Sequence, residues 1–410
     1  MNQYETCVKQ DQETPEIKEP EFFDRALLLQ LSGVRQEYFE RHCLIEHPRL
    51  LEALETTVRT ICSPGEGAQL RRLGTMVLVI GPSRVGKTTL IRLLEERLLT
   101  YAKAQMQRDP TYIPYASITA PEPGVGGFDW TDYYKPVLRQ LGNPFVDSKT
   151  APIHVRAMRE AMGEALIHRE PLAIIVDEAH HLAKVRSGRK LQDHLDHLKH
   201  FENLTGVSHI LVGTYDMRSF RRVNAQLACR SVDVHFPRYD LMKEEDCQIF
   251  RSVLWALQRQ MPMEEEPLLV EQHWEFLYAR SIGCIGLLKM HLNQALNLAI
   301  SEGAKTVTET HLRKTAPPDL RVKLALRTAL ESEAEFVEAE DADEQLLALL
   351  GRASSRVSAQ RKDTGGPSDQ AQKRSKKHRP GKRAEGRDAT GQEADEGTSH
   401  DQASEERAAG

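Results

Sequence analysis

The sequence predicts an α/β protein, with a mostly parallel five-stranded sheet flanked by helices, then a small helical domain and a polar tail. Five short apolar runs have the length of buried strands, and amphipathic helical patterns separate them. Strand and helix in alternation indicate a parallel sheet covered on both faces. After Asp240 only helical patterns follow, and from Gly351 onward the composition is typical of a disordered segment.

The elements follow in order along the chain. Apolar residues recur at helical spacing from Phe22 to about Ile61, and a Pro/Gly-rich loop begins at Ser63. The predicted strands are Thr75–Ile80, Tyr112–Thr119, Leu172–Val176, His209–Val212 and Ser231–Phe236. The predicted helices after them are Met242–Gln260, Leu268–Arg280, Cys284–Ser301 and a shorter one near Thr308–Lys314.

This order predicts five segments. We expect a flexible N-terminus (1–21), a helical extension (22–61), an α/β domain (62–240), a helical lid domain (241–327) and an acidic, then basic, disordered tail (328–410).

Composition narrows the classes of function. Net charge is −5, so contacts with nucleic-acid phosphates would have to come from local basic patches. The six cysteines are scattered without a CxxC pair, which argues against a disulfide framework and a zinc ribbon. No apolar run reaches transmembrane length and no signal peptide opens the chain, so we expect a soluble cytoplasmic protein with no membrane partner.

The run Gly81-Pro-Ser-Arg-Val-Gly-Lys-Thr88 matches the phosphate-loop pattern GxxxxGK[ST], between an apolar strand and a helical pattern. Its glycines allow a tight turn that points backbone N–H groups at phosphates, and the following helix adds a favourable dipole. Lys87 is expected to reach the β- and γ-phosphates, and the Thr88 hydroxyl to bind Mg²⁺. The predicted ATP contacts are Gly81, Pro82, Ser83, Arg84, Val85, Gly86, Lys87, Thr88 and Thr89.

Two carboxylates, Asp177 and Glu178, end the third predicted strand. Neighbouring strand residues point to opposite sides, so Asp177 is predicted to hold Mg²⁺ while Glu178 activates the attacking water. Asp-Glu-Ala-His also spells a helicase box. That alternative needs a second motor domain, for which the chain after His181 leaves too little sequence.

Two further positions are predicted to sense the γ-phosphate. If the fourth strand lies between the two nucleotide-binding strands, Thr214 is near that phosphate as a hydrogen-bonding sensor. Arg230 precedes the last strand, where an arginine at a subunit edge can reach the neighbour's ATP and stabilise the transferring phosphoryl group. Arg221 and Arg222 are rival candidates for this role.

The order of these motifs resembles the AAA+ ATPases, in particular the transposition regulators TnsC and TniB, and more distantly MuB. The resemblance covers roughly Tyr38 to Lys314. It is carried by these segments: the lead-in Arg41-His-Cys-Leu-Ile-Glu-His47-Pro, the phosphate loop, Val-Asp-Glu-Ala-His-His-Leu, Val-Gly-Thr, Gln-Leu-Ala-Cys-Arg230, Ser281-Ile-Gly283-Cys-Ile-Gly286 and Glu302-Gly-Ala-Lys-Thr-Val-Thr308.

The resemblance implies a homo-oligomer that assembles on double-stranded DNA as an ATP-dependent ring or helical filament. Such assemblies recruit a transposase and a TniQ-like target-selection protein, and hydrolysis disassembles them. Many AAA+ proteins carry a lid arginine that touches the γ-phosphate, but Gly286 stands at that position here. Either Lys289, about one turn later, substitutes for it, or the lid does not sense nucleotide. The departure favours a switch over a strong motor.

Two local basic clusters are candidate DNA contacts, and the first consists of Lys103 and nearby Arg108. By analogy with related ATPases, Lys103 and Thr119 would face a DNA channel, and a second cluster follows the acidic strand at Lys184, Arg186, Arg189 and Lys190. The densest basic run, 373–383, lies in the predicted tail and would bind DNA loosely, bind a partner, or only keep the chain soluble. His194, His197 and His200 are explained by an amphipathic helix covering the sheet through Leu191, Leu195 and Leu198, and not by zinc binding.

Three hypotheses therefore remain. The first is an ATP-switched, DNA-binding transposition regulator. The second is a loader-like ATPase, or a defence or signalling NTPase, whose main partner is a protein. The third, a secretion-type AAA+ ATPase, requires membrane association that nothing in the sequence indicates.

Overall fold

The computed structural model describes residues 32–62, 74–124, 127–143, 146, 154–184, 188–223, 231–334 and 336. The predicted flexible N-terminus, Arg186, Arg230 and the basic run 373–383 lie outside them.

A five-stranded parallel sheet forms the centre of the α/β part. Its strands are β1 (Met76–Ile80), β2 (Tyr115–Thr119), β3 (Ala173–Asp177), β4 (Ser208–Gly213) and β5 (Ser231–His235). They are ordered β2-β3-β4-β1-β5, and every pairing is parallel. The predicted fold class is confirmed, and β4 lies between β1 and β3, which is the position required for a sensor on β4.

Helices cover both faces of this sheet. Helix α1 (Ser32–Arg41) packs with the helices that follow β5. The helices on the sheet are α2 (Pro48–Cys62), α3 (Lys87–Arg108), α4 (Trp130–Gln140), α5 (Val155–Arg169), α6 (Gly188–Thr205) and α7 (Arg218–Val223). Alternate residues of β1 enter different cores because side chains alternate along a strand. Leu78 and Ile80 pack with α4, α5 and α6, whereas Val77 and Val79 pack with α2 and α3.

Helices alone follow β5 in the described part of the chain. They are α8 (Glu244–Gln260), α9 (Leu269–Gln272), α10 (Trp274–Ser281), α11 (Ile285–Ser301), α12 (Glu309–Thr315) and α13 (Asp319–Glu333). Their apolar faces form a separate core that also takes in Phe39, Cys43 and Ile45 from the N-terminal segment. None of the described helices is long and apolar enough to cross a membrane.

Two details differ from the sequence-based expectations. The predicted helix Leu268–Arg280 is two helices, α9 and α10, that meet at His273. Buried Gln258 holds this arrangement, since its side-chain oxygen accepts hydrogen bonds from Leu269 N at 2.8 Å and Val270 N at 3.1 Å.

The second correction concerns the predicted start of the disordered tail at residue 328. Helix α13 continues to Glu333, so the boundary at 327 falls inside a helix. Ala329 and Ser332 are buried, and Glu333 makes an ion pair with Arg238. Burial of this face explains why a segment with an acidic, polar sequence is ordered.

Candidate active site

The phosphate loop joins the end of β1 to the start of α3 and is packed against the segment that follows β5. A side chain at Gly81 would place its Cβ 2.2 Å from the backbone oxygen of Phe236, so only glycine fits there. Gly86 has φ +124°, a conformation that side chains rarely adopt, and Arg84 has φ +63°. The loop conformation predicted from the glycine spacing is therefore present.

Lys87 is the first residue of α3 and is buried. Its ammonium donates hydrogen bonds to the carbonyl oxygens of Pro82 at 2.7 Å and Gly81 at 3.2 Å. Burial lowers the pKa of Lys87, while the charges of Glu178 and Asp177 oppose that shift. The phosphate loop, its lysine and the acidic pair thus lie close enough to interact.

Asp177 is the last residue of β3, and its carboxylate accepts a hydrogen bond from Glu178 N at 2.8 Å. Burial raises the pKa of Asp177 despite that hydrogen bond. Glu178 was predicted to be the next residue of the strand, but it lies outside β3. Its φ of +51° turns the chain into a short 3₁₀ helix. The two carboxylates are separated by this turn and not by strand alternation.

His180 is close to Glu178, with its Nδ1 atom 3.0 Å from Glu178 Oε2. Burial lowers the pKa of His180, and the Glu178 charge partly counters that shift. The Glu178 carboxylate beside this imidazole is half-exposed, so water can reach it.

Thr214 follows β4 directly, at the carboxyl edge of the sheet between Ile80 and Asp177. Within the described part of the chain, its hydroxyl is a buried oxygen with no hydrogen-bond partner. A buried polar atom without a partner is costly and calls for an explanation. A phosphate oxygen is a suitable partner for it.

These residues fit ATP and Mg²⁺. The loop N–H groups and Lys87 suit phosphates, while Thr88, which is exposed, and Asp177 supply the hard oxygen atoms that Mg²⁺ prefers. Among the described residues, no group of three or more His, Cys, Asp or Glu is arranged to hold a metal ion by itself. Mg²⁺ is typically bound through one or two protein oxygens together with the phosphates. A site with only Thr88 and Asp177 as protein ligands is therefore consistent with the lack of a larger group of ligands.

The arginine candidates have different surroundings. Arg221 pairs with Asp233 at 2.5 Å, and its guanidinium lies 4.6 Å from the ring centroid of Phe336. Arg222 lies on α7, but its side chain is outside the described residues, as is all of Arg230.

The lid begins in contact with the phosphate loop. A Cβ on Gly286, the second residue of α11, would be 2.4 Å from the backbone oxygen of Arg84. Lys289 donates a hydrogen bond to Glu40 O at 3.0 Å, and burial lowers its pKa. Lys289 is therefore held by the segment before β1, and its predicted role toward ATP stays a prediction.

A pocket beside the loop contains residues that the sequence reasoning did not nominate. It is lined by Leu44, Ile45 and His47 from the N-terminal segment, and by Gly86, Thr89, Gly286 and Lys289. The sequence did indicate that this segment matters, because the lead-in Arg41–His47 is one of the segments that resemble the AAA+ family. The motifs alone did not say that this lead-in lies against the loop.

Replacing Gly286 by alanine is expected to weaken ATP binding about tenfold, or about 1.4 kcal/mol. The added methyl would meet backbone that cannot move aside like a flexible side chain, so α11 and the loop must separate. Titration with a fluorescent ATP analogue measures the effect. Gly33→Ala, where a Cβ meets nothing within 4 Å, is the matched control, and equal affinities would contradict the contact.

Acid is expected to destabilise the protein through His47. Its Nδ1 lies 2.8 Å from the Tyr239 hydroxyl, and burial, then the charge of Arg49, lowers the pKa of His47 to about 3. The unfolded chain takes up this proton below pH 6.5, whereas the folded chain does not until about pH 3. Stability from this group is therefore complete above pH 6.5 and falls by about 1.4 kcal/mol per pH unit below it.

Urea unfolding of wild type and His47→Gln between pH 7 and pH 5 measures this loss of stability. The protein concentration is kept low, because the range crosses the pI near 6.4, where little net charge opposes association. The variant should lose about 2 kcal/mol less than wild type over that range. His168→Gln, at an exposed position, should follow the wild-type curve. Parallel curves for His47→Gln and wild type would refute the assignment.

The candidate DNA contacts do not form one surface. Thr119 ends β2 in register with Asp177, so it lies at the carboxyl edge of the sheet, and Lys184 follows β3 at the same edge. Lys103 lies 16 residues after Lys87 on α3, roughly 24 Å along a helix that runs back toward the amino edge. All three are exposed; Arg189 and Lys190 lie on α6, with side chains outside the described set.

The histidines of α6 lie in an aromatic cluster. The His197 ring is 4.3 Å from that of Trp130, and its Nε2 contacts the Tyr134 hydroxyl. Burial lowers the pKa of His197 to about 4. Leu191, Leu195 and Leu198 are buried against the sheet, which confirms the amphipathic helix.

Comparison with known proteins supports the nucleotide-binding domain. Residues 71–220 match the sequence profile of a family described as an AAA domain, which is less than half of the 410 residues. No protein of curated function matches the chain.

Several solved structures are similar in fold. The ORC2 protein of Aeropyrum pernix, in ADPNP–ADP complexes, shares 17% identity at a TM-score of 0.44, over 65% of this chain and 66% of that one. Drosophila ORC bound to DNA shares 14% at 0.45, over 86% and 88%. Cdc6p of Pyrobaculum aerophilum shares 14% at 0.43, over 68% and 70%.

At such low identities and TM-scores, these similarities carry no argument about substrate or partner. The profile match and the observed architecture agree with each other, since the matched range runs from the residues before β1 to α7 and contains the phosphate loop and the acidic pair. Residues 71–220 therefore match an AAA domain in sequence, and their described part has the phosphate loop and the acidic pair at the carboxyl edge of a parallel sheet.

Proposed function

We propose that this chain is an ATP-dependent, DNA-binding transposition regulator. It oligomerises on double-stranded DNA, links a TniQ-like target-selection protein to the transposase, and is released when it hydrolyses ATP. The motif combination Asp177-Glu-Ala-His-His and Ser281-x-Gly-x-x-Gly286 supports this narrower assignment within the AAA+ ATPases.

The roles of the residues follow from their positions. Lys87 and the loop N–H groups hold the phosphates, and Thr214 donates its free hydroxyl to the γ-phosphate. Glu178 orients the attacking water and takes its proton, while Asp177 and Thr88 hold Mg²⁺. Bound Mg²⁺ neutralises charge that develops on the phosphates during transfer. Arg230, or its rivals Arg221 and Arg222, acts on the ATP of a neighbouring subunit.

The observation that carries the switch mechanism is the contact between Gly286 and the phosphate loop. The position where many AAA+ lids present an arginine is occupied here by backbone packed on Arg84. A glycine presents no charge to the γ-phosphate, so this position gives the lid no group with which to pull on it. ATP would then act chiefly by completing a site shared with the next subunit.

DNA affinity would come from repetition. Thr119 and Lys184 lie at the same edge of the sheet, and a few weak phosphate contacts per subunit add up along an oligomer. Because such contacts release counterions, binding should weaken steeply with salt.

Electron microscopy and gel shift with duplex DNA test this proposal, each run with ATP, ADP and no nucleotide. Rings or filaments on DNA only with ATP are the expected result. No ATP-dependent assembly on duplex DNA would overturn it. Strong turnover with DNA-independent oligomers would favour the alternative of a loader-like, defence or signalling NTPase that acts on a protein.

A further inference from the structure

The end of α13 folds back onto the carboxyl edge of the sheet. Glu333 and Phe336 make the contacts, and we name these two residues the C-terminal latch. Glu333 Oε2 lies 3.1 Å from Arg238 Nε, and both side chains are largely removed from solvent, at 18% and 5% exposed. Burial raises the pKa of Glu333, although the nearby Arg238 charge lowers it.

Phe336 makes the second part of the latch. Its ring stacks on His235 with the centroids 4.2 Å apart and the planes 7° from parallel. The Arg221 guanidinium lies 4.6 Å from the same ring. Through these two contacts Phe336 connects the end of β5 to the Arg221 side chain on α7.

The latch contacts residues in three regions near the proposed ATP site: the turn after β4, helix α7 and the segment between β5 and the lid. Tyr215, whose ring is 5.9 Å from Phe336, immediately follows the sensor candidate Thr214. Arg221 lies on α7 and is a candidate to act on a neighbour's ATP. Arg238 lies between β5 and the lid, where its Nη1 contacts the Tyr278 hydroxyl at 3.3 Å.

The surroundings of Arg221 show what the latch restrains. Asp233 neutralises its charge at 2.5 Å, and Phe336 contacts its guanidinium, so both partners are in its own chain. An arginine held in this way cannot also extend to a phosphate in another subunit. Either these contacts must open during assembly, or the latch must move with α7.

We propose that the C-terminal latch restrains ATP hydrolysis in the single subunit, by holding Arg221 and Arg238, and that subunit assembly releases it. The inference rests on the proposed sharing of the ATP site between subunits. It does not require DNA. The latch couples assembly to hydrolysis, because a subunit outside an oligomer keeps its arginine bound internally.

ATP turnover without DNA, measured over a range of protein concentrations, tests this for Phe336→Ala and Glu333→Gln. Turnover of the dilute protein should rise about fivefold, and the concentration for half-maximal turnover should fall, as expected for a coupling free energy near 1 kcal/mol. Leu330→Ala and Glu331→Gln alter exposed residues of the same helix and should match wild type.

Two further sets of variants separate release of the latch from misfolding and from effects that do not involve Arg221. Phe336→Leu retains apolar volume but removes the stack and the cation–π contact, so it reports on the latch if Phe336→Ala does not fold. Adding Arg221→Ala to either Phe336 variant should abolish the gain. Unchanged or lower turnover in folded latch variants, or a gain that survives Arg221→Ala, would overturn the proposal. DNA assembly is scored separately by gel shift, so a failure there does not alter the latch result.

Discussion

Replacing Glu178 by glutamine is expected to leave ATP affinity within about twofold of wild type while slowing hydrolysis at least about 100-fold. The amide keeps the size of the side chain, but it replaces one acceptor oxygen with a donor NH₂ group and cannot take a proton from water. Glu178 is half-exposed, follows β3 and lies within interaction range of Lys87, so it is well placed for this step. Because ATP would persist in the site, oligomers on DNA should also last longer.

Single-turnover hydrolysis and ATP titration separate the two effects. Glu170→Gln is a matched control, because Glu170 is also a glutamate in a left-handed conformation, with φ +46°, but it precedes β3 at the opposite edge of the sheet. That variant should hydrolyse ATP normally. Undiminished hydrolysis by Glu178→Gln would remove Glu178 from its role.

Removing the Lys87 ammonium is expected to weaken ATP binding about 100-fold, since hydrogen bonds between charged groups contribute about 1.5–3 kcal/mol each. Lys87→Met retains the buried stem and therefore isolates the charge, whereas Lys87→Ala also removes packing. Both variants should fail to form ATP-dependent oligomers.

Calorimetry with ATP and Mg²⁺ measures the loss, and thermal melting shows whether the fold persists. Arg97→Ala removes a basic side chain from an exposed position of the same helix and should bind ATP as wild type does. Ordered assembly by Lys87→Met in the presence of ATP would contradict the mechanism, because the proposed subunit contacts depend on bound phosphates.

Much of the fold was predictable because its signals are local. Each buried strand is a short apolar run, and the observed strand bounds lie within a few residues of those predicted. The loop conformation follows from two glycines and a lysine at fixed spacing. The helix break at His273 was not predictable in this way, because Gln258, a residue of the preceding helix, stabilises it.

The same distinction applies to the site. Lys87, Asp177 and Glu178 were identified from short motifs, and their roles await the measurements above. The contacts that surround these residues in the folded protein could not be predicted from the motifs. The residues around Gly286 in the sequence do not predict its contact with Arg84. Those around Glu333 do not predict its ion pair with Arg238.

The sequence by itself determined the α/β class, the strand segments and the phosphate-loop chemistry of this protein, since each depends on residues within a few positions of one another. Only the tertiary structure decided that β4 lies between β1 and β3, that the lead-in with His47 lines a pocket beside the loop, and that the latch reaches Arg221 and Arg238. The physical reason is that these contacts join residues far apart along the chain. They form when separate apolar faces are buried together, which no local pattern specifies.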